Sequence, residues 1–404
     1  MRAAGLLLVT LGFAPAAAQA PADSARPRYL LPDIAPDALV FDGKYFWFKP
    51  VIGIIGDYTW FDQDAASVAQ VGTQADQADL RTLRFGLAAR HRAQPRLELF
   101  VVVDYVESRR RVDDAYDVLD LALGLPLGPH GKVTIGKQKQ PFVYEMTALA
   151  AMLPQQERLL SPFFVSRDVG IKVSSGVERP RIAFWVGWFN DWFTRGESMA
   201  SAGSDYVVRV TSEPLASPDG SRYLHLGVGG RYREAEDGTL RFRGRPESNV
   251  SDYFIDTGDI PAAYAVELGL ELKAVWRGWS LLTEWIEASV QGTGGPDPRF
   301  SGAYATVAWV VTGEHRTQDW SIGSGRAPVP RRRGGAWEIV ARYGHVDAAD
   351  QGVDGGVLDK WYLGVNWWAS RQWKVGVGYG IATLDRGGQT GRTGITLARL
   401  QWLY

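Results

Sequence analysis

The amino-acid sequence predicts an all-β protein: a transmembrane antiparallel β-barrel of about sixteen strands with a partly helical loop that folds inward and constricts the lumen. Three observations lead to this prediction. Apolar and polar residues alternate along most of the chain, short and long connections alternate between the predicted strands, and the last strand ends on aromatic residues. A soluble sandwich, jelly roll or secreted β-enzyme would explain the alternation equally well, but not the three observations together.

Alternation with a period of two places successive side chains on opposite faces of a strand. In residues 264–273, Val266, Leu268 and Leu270 alternate with polar or small residues, and residues 373–381 repeat the pattern. Such repeats fit strands with one apolar and one polar face. Segments of this kind lie near 44–60, 79–91, 96–107, 115–125, 131–140, 167–175, 181–190, 204–212, 222–233, 261–275, 279–291, 301–313, 335–347, 358–368, 371–384 and 392–404.

The predicted connections differ in length on the two sides of the sheet. Those after the second, fourth and sixth strands are short, at 92–95, 126–130 and 176–180. Those after odd-numbered strands are mostly long, at 62–78, 141–166, 191–203 and 234–260, whereas 314–334 is a long connection on the short side. Transmembrane barrels have this asymmetry, and they place aromatic residues such as Trp402 and Tyr404 at the membrane interface.

The N-terminal residues resemble an export signal. Arg2 precedes an apolar run and a small-residue stretch, which is the layout of a secretory signal peptide over residues 1–18, or 1–20 if cleavage follows Ala20. A Pro/Ala-rich leader would follow at 21–40, and the barrel domain would occupy 41–404. The signal and the barrel together predict a protein exported to an outer membrane.

Composition argues against several other functions. After the signal no apolar run is long enough for a membrane-spanning helix, and the chain has no cysteine for a disulfide framework. Its formal charge of -1 gives no bias towards nucleic acid. The 5 histidines lack metal-ligand spacing, and neither a Gly-x-Ser-x-Gly elbow nor a Walker loop occurs. We therefore expect no enzyme activity, no catalytic residue, no metal and no cofactor.

The connection 142–161 differs in composition from its neighbours. Residues 144–160 have the composition of a helix interrupted by Pro154. A loop of this length after the fifth strand can fold into the lumen and narrow it. The alternative is a helix that lies over the mouth of the barrel.

Several segments resemble the phosphate-selective porins O and P of Gram-negative outer membranes. The resemblance rests on segments spread over nearly the whole mature chain, at 136–142, 157–158, 240–248, 256–258, 300–304, 312–316, 335–338, 341–343 and 363–367. Segment 136–142 is similar to that family's Gly-x-x-Lys-x-Pro-Phe sequence at the entry of the constriction loop, although Gln140 stands where Glu is common. The resemblance implies a homotrimeric channel of sixteen strands that prefers anions such as phosphate.

Basic residues near the predicted constriction are the candidates for anion binding. The candidates are Lys137, Lys139 and Arg158, then Arg241, Arg243 and Arg245 in the fifth long connection, and Arg84, Arg209 and Arg342 on the polar faces of strands. Lys137 and Lys139 are in phase with Val133, so the strand must end or bulge near Gly136 for them to reach the lumen. The alternative for any wall charge is pairing with a carboxylate across the lumen.

The sequence thus predicts a porin that lets small hydrophilic solutes, phosphate or other anions among them, diffuse passively. A general or differently selective porin is the first alternative, and a plugged barrel with an enzymatic or structural role is the second. We interpret the basic runs 109–111 and 331–333 as loop surface, the first facing lipopolysaccharide phosphates and the second the periplasm.

Overall fold

The computed structural model describes residues 41–94, 96–105, 116–190, 192 and 203–404. Within these ranges it contains a closed antiparallel barrel of 16 strands, which confirms the predicted fold class. The strands are β1 Phe46–Gln63, β2 Gln77–His91, β3 Glu98–Tyr105, β4 Tyr116–Leu127, β5 Gly131–Lys139, β6 Arg167–Val177, β7 Ile182–Asn190, β8 Asp205–Ala216, β9 Arg222–Glu234, β10 Ile260–Trp276, β11 Trp279–Gly292, β12 Arg299–Val310, β13 Ala336–Asp350, β14 Val353–Trp368, β15 Trp373–Arg386 and β16 Gln389–Leu403.

Each strand pairs with the next along the chain, and the last strand pairs with the first. β16 lies antiparallel to β1, with Leu403 opposite Gly53 and Thr393 opposite Gln63. Closure leaves no barrel strand with an unpaired edge, so backbone hydrogen bonding is satisfied around the circumference. The signal peptide and leader predicted for residues 1–40, and the basic run 109–111, lie outside the described residues.

The two faces of the wall differ as the alternation predicts. On β15, Val375 and Val377 are 37% and 52% exposed on the outer face, whereas Lys374 between neighbouring apolar residues is fully buried. On β10, Leu268 and Leu270 face outward and Glu267 is buried. The outer face is therefore apolar enough for lipid, and the charged side chains point into the barrel.

The connections at the two ends of the barrel differ largely as predicted. The even-numbered strands end in short turns, such as the two residues between β10 and β11, except for the segment 311–335 after β12. The other end carries the long connections 140–166 and 235–259, although β13–β14 and β15–β16 are joined there by only two residues each.

Helical structure is confined to short pieces. Helix Ala65–Val71 follows β1, where the Asp64 carboxylate caps it by accepting from the Ser67 N–H at 2.7 Å. Connection 140–166 contains one α-helical turn, Tyr144–Thr147, and two 3₁₀ turns, Ala150–Met152 and Ser161–Phe163. It is thus less helical than its composition predicts. No helix among the described residues is long and apolar enough to span a membrane.

The apolar core lies inside the barrel, between connection 140–166 and the inner face of the wall. Buried side chains of connection 140–166, including Phe142, Leu160 and Phe163, pack against inward-facing apolar residues of the wall such as Ile286 and Phe300. The wall residues of this cluster come from β7 to β16. The core therefore fills one side of the lumen and leaves the side lined by β1 to β6 less tightly packed.

Candidate constriction site

Connection 140–166, called here the constriction loop, crosses the inside of the barrel. Wall residues from distant strands donate to its carbonyl groups: Arg231 on β9 to Phe163 O at 2.6 Å, and Gln401 on β16 to Ala151 O at 3.1 Å. Asn366 on β14 donates to Pro154 O at 2.8 Å. Contacts with both sides of the barrel place the loop in the lumen. This confirms the predicted inward loop rather than its alternative, a helix that lies over the mouth of the barrel.

The chain leaves regular strand geometry at Gly136. Its φ is +120°, a conformation that side-chain-bearing residues rarely adopt, and a Cβ there would lie 2.0 Å from the Leu121 carbonyl oxygen. Beyond it, the Lys137 ammonium donates to Asp117 Oδ1 at 3.2 Å. The Lys139 ammonium donates at 2.7–3.1 Å to the carbonyls of loop residues 146–148. Strict alternation from Val133 would point Lys139 outward, and the irregular backbone at Gly136 lets it reach the lumen instead.

A narrow cavity, called here the passage, lies between the constriction loop and the wall. It has a volume of about 70 Å³ and lies against β1 to β4, with Arg167 of β6 and Arg399 of β16 contributing to its lining. At the end with long connections it meets a wider vestibule of about 840 Å³. Arg81 and Glu157 line both spaces, so they stand where the vestibule narrows into the passage.

Pairs of opposite charge line the passage. Arg84 donates to Asp104 at 2.9 Å, and Arg167 donates to Asp120 at 3.0 Å. Arg399 makes two hydrogen bonds to Asp57, at 2.8 and 2.6 Å. These wall charges are therefore paired with carboxylates, which is the alternative to anion binding that the sequence left open.

Glu157 of the constriction loop joins two arginines at the mouth of the passage. It accepts from Arg81 Nε at 2.8 Å and from Arg399 at 2.6 Å. Burial by itself would raise the pKa of the Glu157 carboxyl, but the charges of Arg81 and Arg399 outweigh it and hold the pKa well below the usual range. The two arginines therefore favour the anionic form of Glu157.

Arg158 and Lys139 are basic residues of a different kind, because their hydrogen bonds go to carbonyl groups. Arg158 donates to Glu145 O at 2.6 Å and to Ala148 O at 2.7 Å. Burial, with smaller contributions from neighbouring arginines, lowers the pKa of Arg158 despite the nearby carboxylates of Glu145 and Glu157. Within the described ranges neither side chain hydrogen-bonds to a carboxylate.

The three arginines predicted in connection 235–259 line the vestibule rather than the passage. Arg241 makes a two-point pair with Asp256, at 2.7 and 2.6 Å. This hydrogen bonding lowers the pKa of Asp256. The guanidinium groups of Arg243 and Arg245 lie over the ring of Tyr253, 4.6 and 4.3 Å from its centre.

Arg209 and Arg342 are fully buried, which removes them from the water-filled path. Arg209 forms a two-point pair with Glu271, at 2.7 and 2.8 Å. Arg342 donates to Glu145 of the constriction loop at 3.0 Å and lies 2.6 Å from Glu247 of connection 235–259. Arg209 also donates to Gly323 O at 2.7 Å, so both residues hold inward segments in place, and neither lines the passage or the vestibule.

Sequence reasoning did not select Arg81, Arg167 or Arg399. Strict alternation would place Arg81 on the face opposite to Arg84. It turns inward because the register between β1 and β2 shifts beside it, between Ile55 and Asp57 of β1. The signal for Arg399 was its position on the polar face of the last strand. Arg167 begins β6 directly after the loop, a position that alternation cannot assign to a face.

The comparison with protein families decides what kind of barrel this is. The model of the family described as phosphate-selective porin O and P matches residues 53–404, nearly the whole barrel. The chain belongs to this family of porins. The family and the fold place it in the outer membrane and point to a channel.

Three solved structures share the fold of this porin at low sequence identity. An anion-selective porin from Comamonas acidovorans has a TM-score of 0.56 at 12% identity, with 89% of this chain and 100% of that chain covered. The trimer form of OmpT from Vibrio cholerae has a TM-score of 0.54 at 11% identity, with coverage of 89% and 100%. OprB from Pseudomonas putida has a TM-score of 0.54 at 10% identity, with coverage of 88% and 94%.

An uncharacterized protein of Caulobacter vibrioides is 30% identical to this porin over 178 residues. The match takes in 42% of this chain and 36% of that protein, so the chain spans little more than a third of the relative's length.

A second inward segment of the porin enters from the opposite end. Within 311–335, Arg316 makes a two-point pair with Glu338 of β13, at 2.6 and 2.7 Å, and donates to Met152 O of the constriction loop at 2.6 Å. The two segments therefore meet inside the barrel. Residues 331–333 in the same segment are exposed, as expected for a basic run on the surface.

Proposed function

We propose that this porin conducts small anions, with phosphate or a similar oxyanion as the preferred solute. The proposal rests on one observation: Arg158 lines the vestibule next to Glu157, and it donates to carbonyl groups of the constriction loop instead of carboxylates, as Lys139 does. The four arginines that line the passage, Arg81, Arg84, Arg167 and Arg399, are matched by four carboxylates, those of Glu157, Asp104, Asp120 and Asp57. Arg158 thus adds a guanidinium charge near the mouth of the passage that no hydrogen-bonded carboxylate among the described residues matches.

The narrowness of the passage amplifies the effect of this unmatched charge. Two unit charges 5 Å apart interact by about 0.8 kcal/mol in bulk water and by about 3 kcal/mol at an effective dielectric constant of about 20. In a space of about 70 Å³ a permeating ion has few water molecules around it, so the stronger value applies more closely. Rows of Arg and Lys select anions in other channels by the same physics.

The vestibule supports a less selective alternative. Its lining includes six arginines but also eight carboxylates, so it does not concentrate anions by net charge alone. A general porin would result if the passage were wider during conduction than in this structure. The distinction depends on the constriction, and the experiment below addresses it.

The zero-current potential of the purified porin in a planar bilayer under a potassium chloride gradient tests the proposal. We expect chloride preference and block by added phosphate, with both reduced in Arg158→Ala and Lys139→Ala. Arg241→Ala is the matched control, because it removes a vestibule charge that Asp256 already neutralises. Cation preference or absence of selectivity would overturn the anion proposal and leave a general porin.

We further propose that the porin is a homotrimer exported through the signal peptide predicted at residues 1–18 and surrounded by outer-membrane lipid and lipopolysaccharide. One relative in fold, OmpT of Vibrio cholerae, is described in a trimer form. Mass measurement in detergent would test the trimer, and a single mass matching one chain would refute it. N-terminal sequencing of the mature protein would test the cleavage site.

A further inference from the structure

Glu157 stands at the entrance of the passage, where a permeating anion arrives. Its carboxylate receives Arg81 Nε at 2.8 Å on one oxygen and a second Arg81 nitrogen at 3.2 Å on the other. Arg399 donates to the first oxygen at 2.6 Å. Two arginines therefore surround a single carboxylate at the point where the vestibule and the passage meet.

The donors that hold Glu157 are the donors that an oxyanion would use. The arginine fork matches a pair of oxygens on a carboxylate and a pair of oxygens on a phosphate or sulfate in the same way. A spherical ion such as chloride offers a single acceptor to the two arms of the fork rather than a pair of oxygens. The carboxylate thus presents the same pair of acceptor oxygens and the same sign of charge as the solute class proposed above.

The two arginines differ in their freedom to move. Arg399 is buried and also binds Asp57 through two hydrogen bonds, at 2.8 and 2.6 Å. The Arg81 side chain is 22% exposed, and both of its hydrogen bonds to described residues go to Glu157. Arg81 is therefore the group that can exchange one anion for another while Arg399 keeps the loop in place.

We propose that the Glu157 carboxylate is a tethered competitor that occupies the oxyanion site of the constriction. This inference rests on the anion channel proposed above and identifies its solute class as tetrahedral oxyanions that can displace a carboxylate from Arg81. Because the competitor is part of the loop, it returns each time the solute leaves. Glu157 thereby keeps binding of the solute weak and its passage fast.

The test measures block of chloride conductance by inorganic phosphate in planar bilayers, for the complete porin and for Glu157→Gln. Glutamine keeps the size of the side chain and removes its charge, so Arg81 becomes available to the solute. We expect the half-blocking phosphate concentration to fall by about tenfold, because the solute no longer displaces a charge-assisted hydrogen bond. Sulfate should behave like phosphate.

Glu234→Gln is the matched control, since it removes the same charge from the vestibule at a side chain that accepts from the Ser204 N–H. We expect the half-blocking concentration in this variant to change by less than about twofold, because the charge is screened by open solvent. An equal effect in both variants would overturn the proposal, as it would assign the change to net charge alone.

Combining Glu157→Gln with Arg81→Gln separates the remaining outcomes. The proposal expects the effect of Glu157→Gln to disappear when Arg81 is absent, and persistence of that effect would refute it. Unchanged phosphate block in Glu157→Gln with chloride preference intact overturns this inference but not the anion channel. Absence of chloride preference in the unaltered porin overturns the anion channel itself. Should Glu157→Gln fail to assemble, Glu157→Asp provides the test, and an unchanged half-blocking concentration there would refute the proposal.

Discussion

Replacing Arg342 by methionine is the most informative change to the support of the constriction. Arg342 on β13 donates to Glu145 at 3.0 Å and to Thr306 at 2.9 Å, and it lies 2.6 Å from Glu247. Glu145 belongs to the constriction loop and Glu247 to connection 235–259, so one guanidinium holds two inward segments. Methionine fills much of the same volume but leaves the carboxylates of both segments without this partner.

The expected cost follows from the burial of the group. Removing one partner of a buried ion pair costs about 3–5 kcal/mol, because the remaining charge stays desolvated. Lys360 lies 3.3 Å from Glu247 and compensates in part, so the lower end of the range applies to that segment. A change of about 3 kcal/mol shifts the equilibrium for loop release by a factor of about 100.

Single-channel recording and heat denaturation measure the two consequences. We expect Arg342→Met to show larger or fluctuating conductance and a lower denaturation temperature, and we expect Glu145→Gln in the same chain to restore part of both. Arg299→Met, at an exposed arginine that begins β12, is the control. Conductance and denaturation temperature equal to those of the control would refute the assignment of Arg342 as an anchor.

Two further predictions concern the same region. Gly136→Ala should prevent correct assembly or lower the denaturation temperature strongly, because a Cβ would meet the Leu121 carbonyl oxygen at 2.0 Å and the φ of +120° is strained for alanine. Gly56→Ala is the control, because a Cβ there meets nothing within 4 Å. Equal denaturation temperatures of the two variants would refute this prediction. Glu157 has a lowered pKa, so its pairing contributes stability that is complete above the usual carboxyl pKa of about 4.3 and is lost as the pH falls towards the lowered value. The denaturation temperature of Glu157→Gln should therefore fall less between pH 5 and pH 3 than that of the unaltered porin, and parallel pH profiles would contradict this prediction.

The strands could be predicted because each depends on local alternation. All sixteen predicted segments overlap the sixteen strands observed, and the polar faces chosen from the pattern, such as those of Glu267 and Lys374, are buried inside the barrel. Register shifts are the main limit. The shift beside Arg81 reverses the phase of a single residue, and nothing in the local composition marks it.

The partners of the inner charges could not be predicted from the sequence. Arg399 binds Glu157 across 242 positions, and Arg342 binds Glu145 across 197, through a lumen whose geometry exists only after the barrel has closed. The inward position of 311–335 was missed for the same reason. Its length marked it as exceptional, but contacts such as those from Arg316 to Met152 of the constriction loop and from Arg209 to Gly323 O are what place it in the lumen.

The pairing of β16 with β1 has a consequence for the order in which the porin becomes functional. Arg399 on β16 donates to Asp57 on β1, and the same guanidinium donates to the Glu157 carboxylate and the Gln156 carbonyl of the constriction loop. One end of the constriction loop is thus fastened to the seam between the first and last strands. A barrel still open at that seam lacks this anchor, so the final geometry of the constriction depends on completed closure, and a variant that weakens the seam should change conductance through the constriction before the channel is lost.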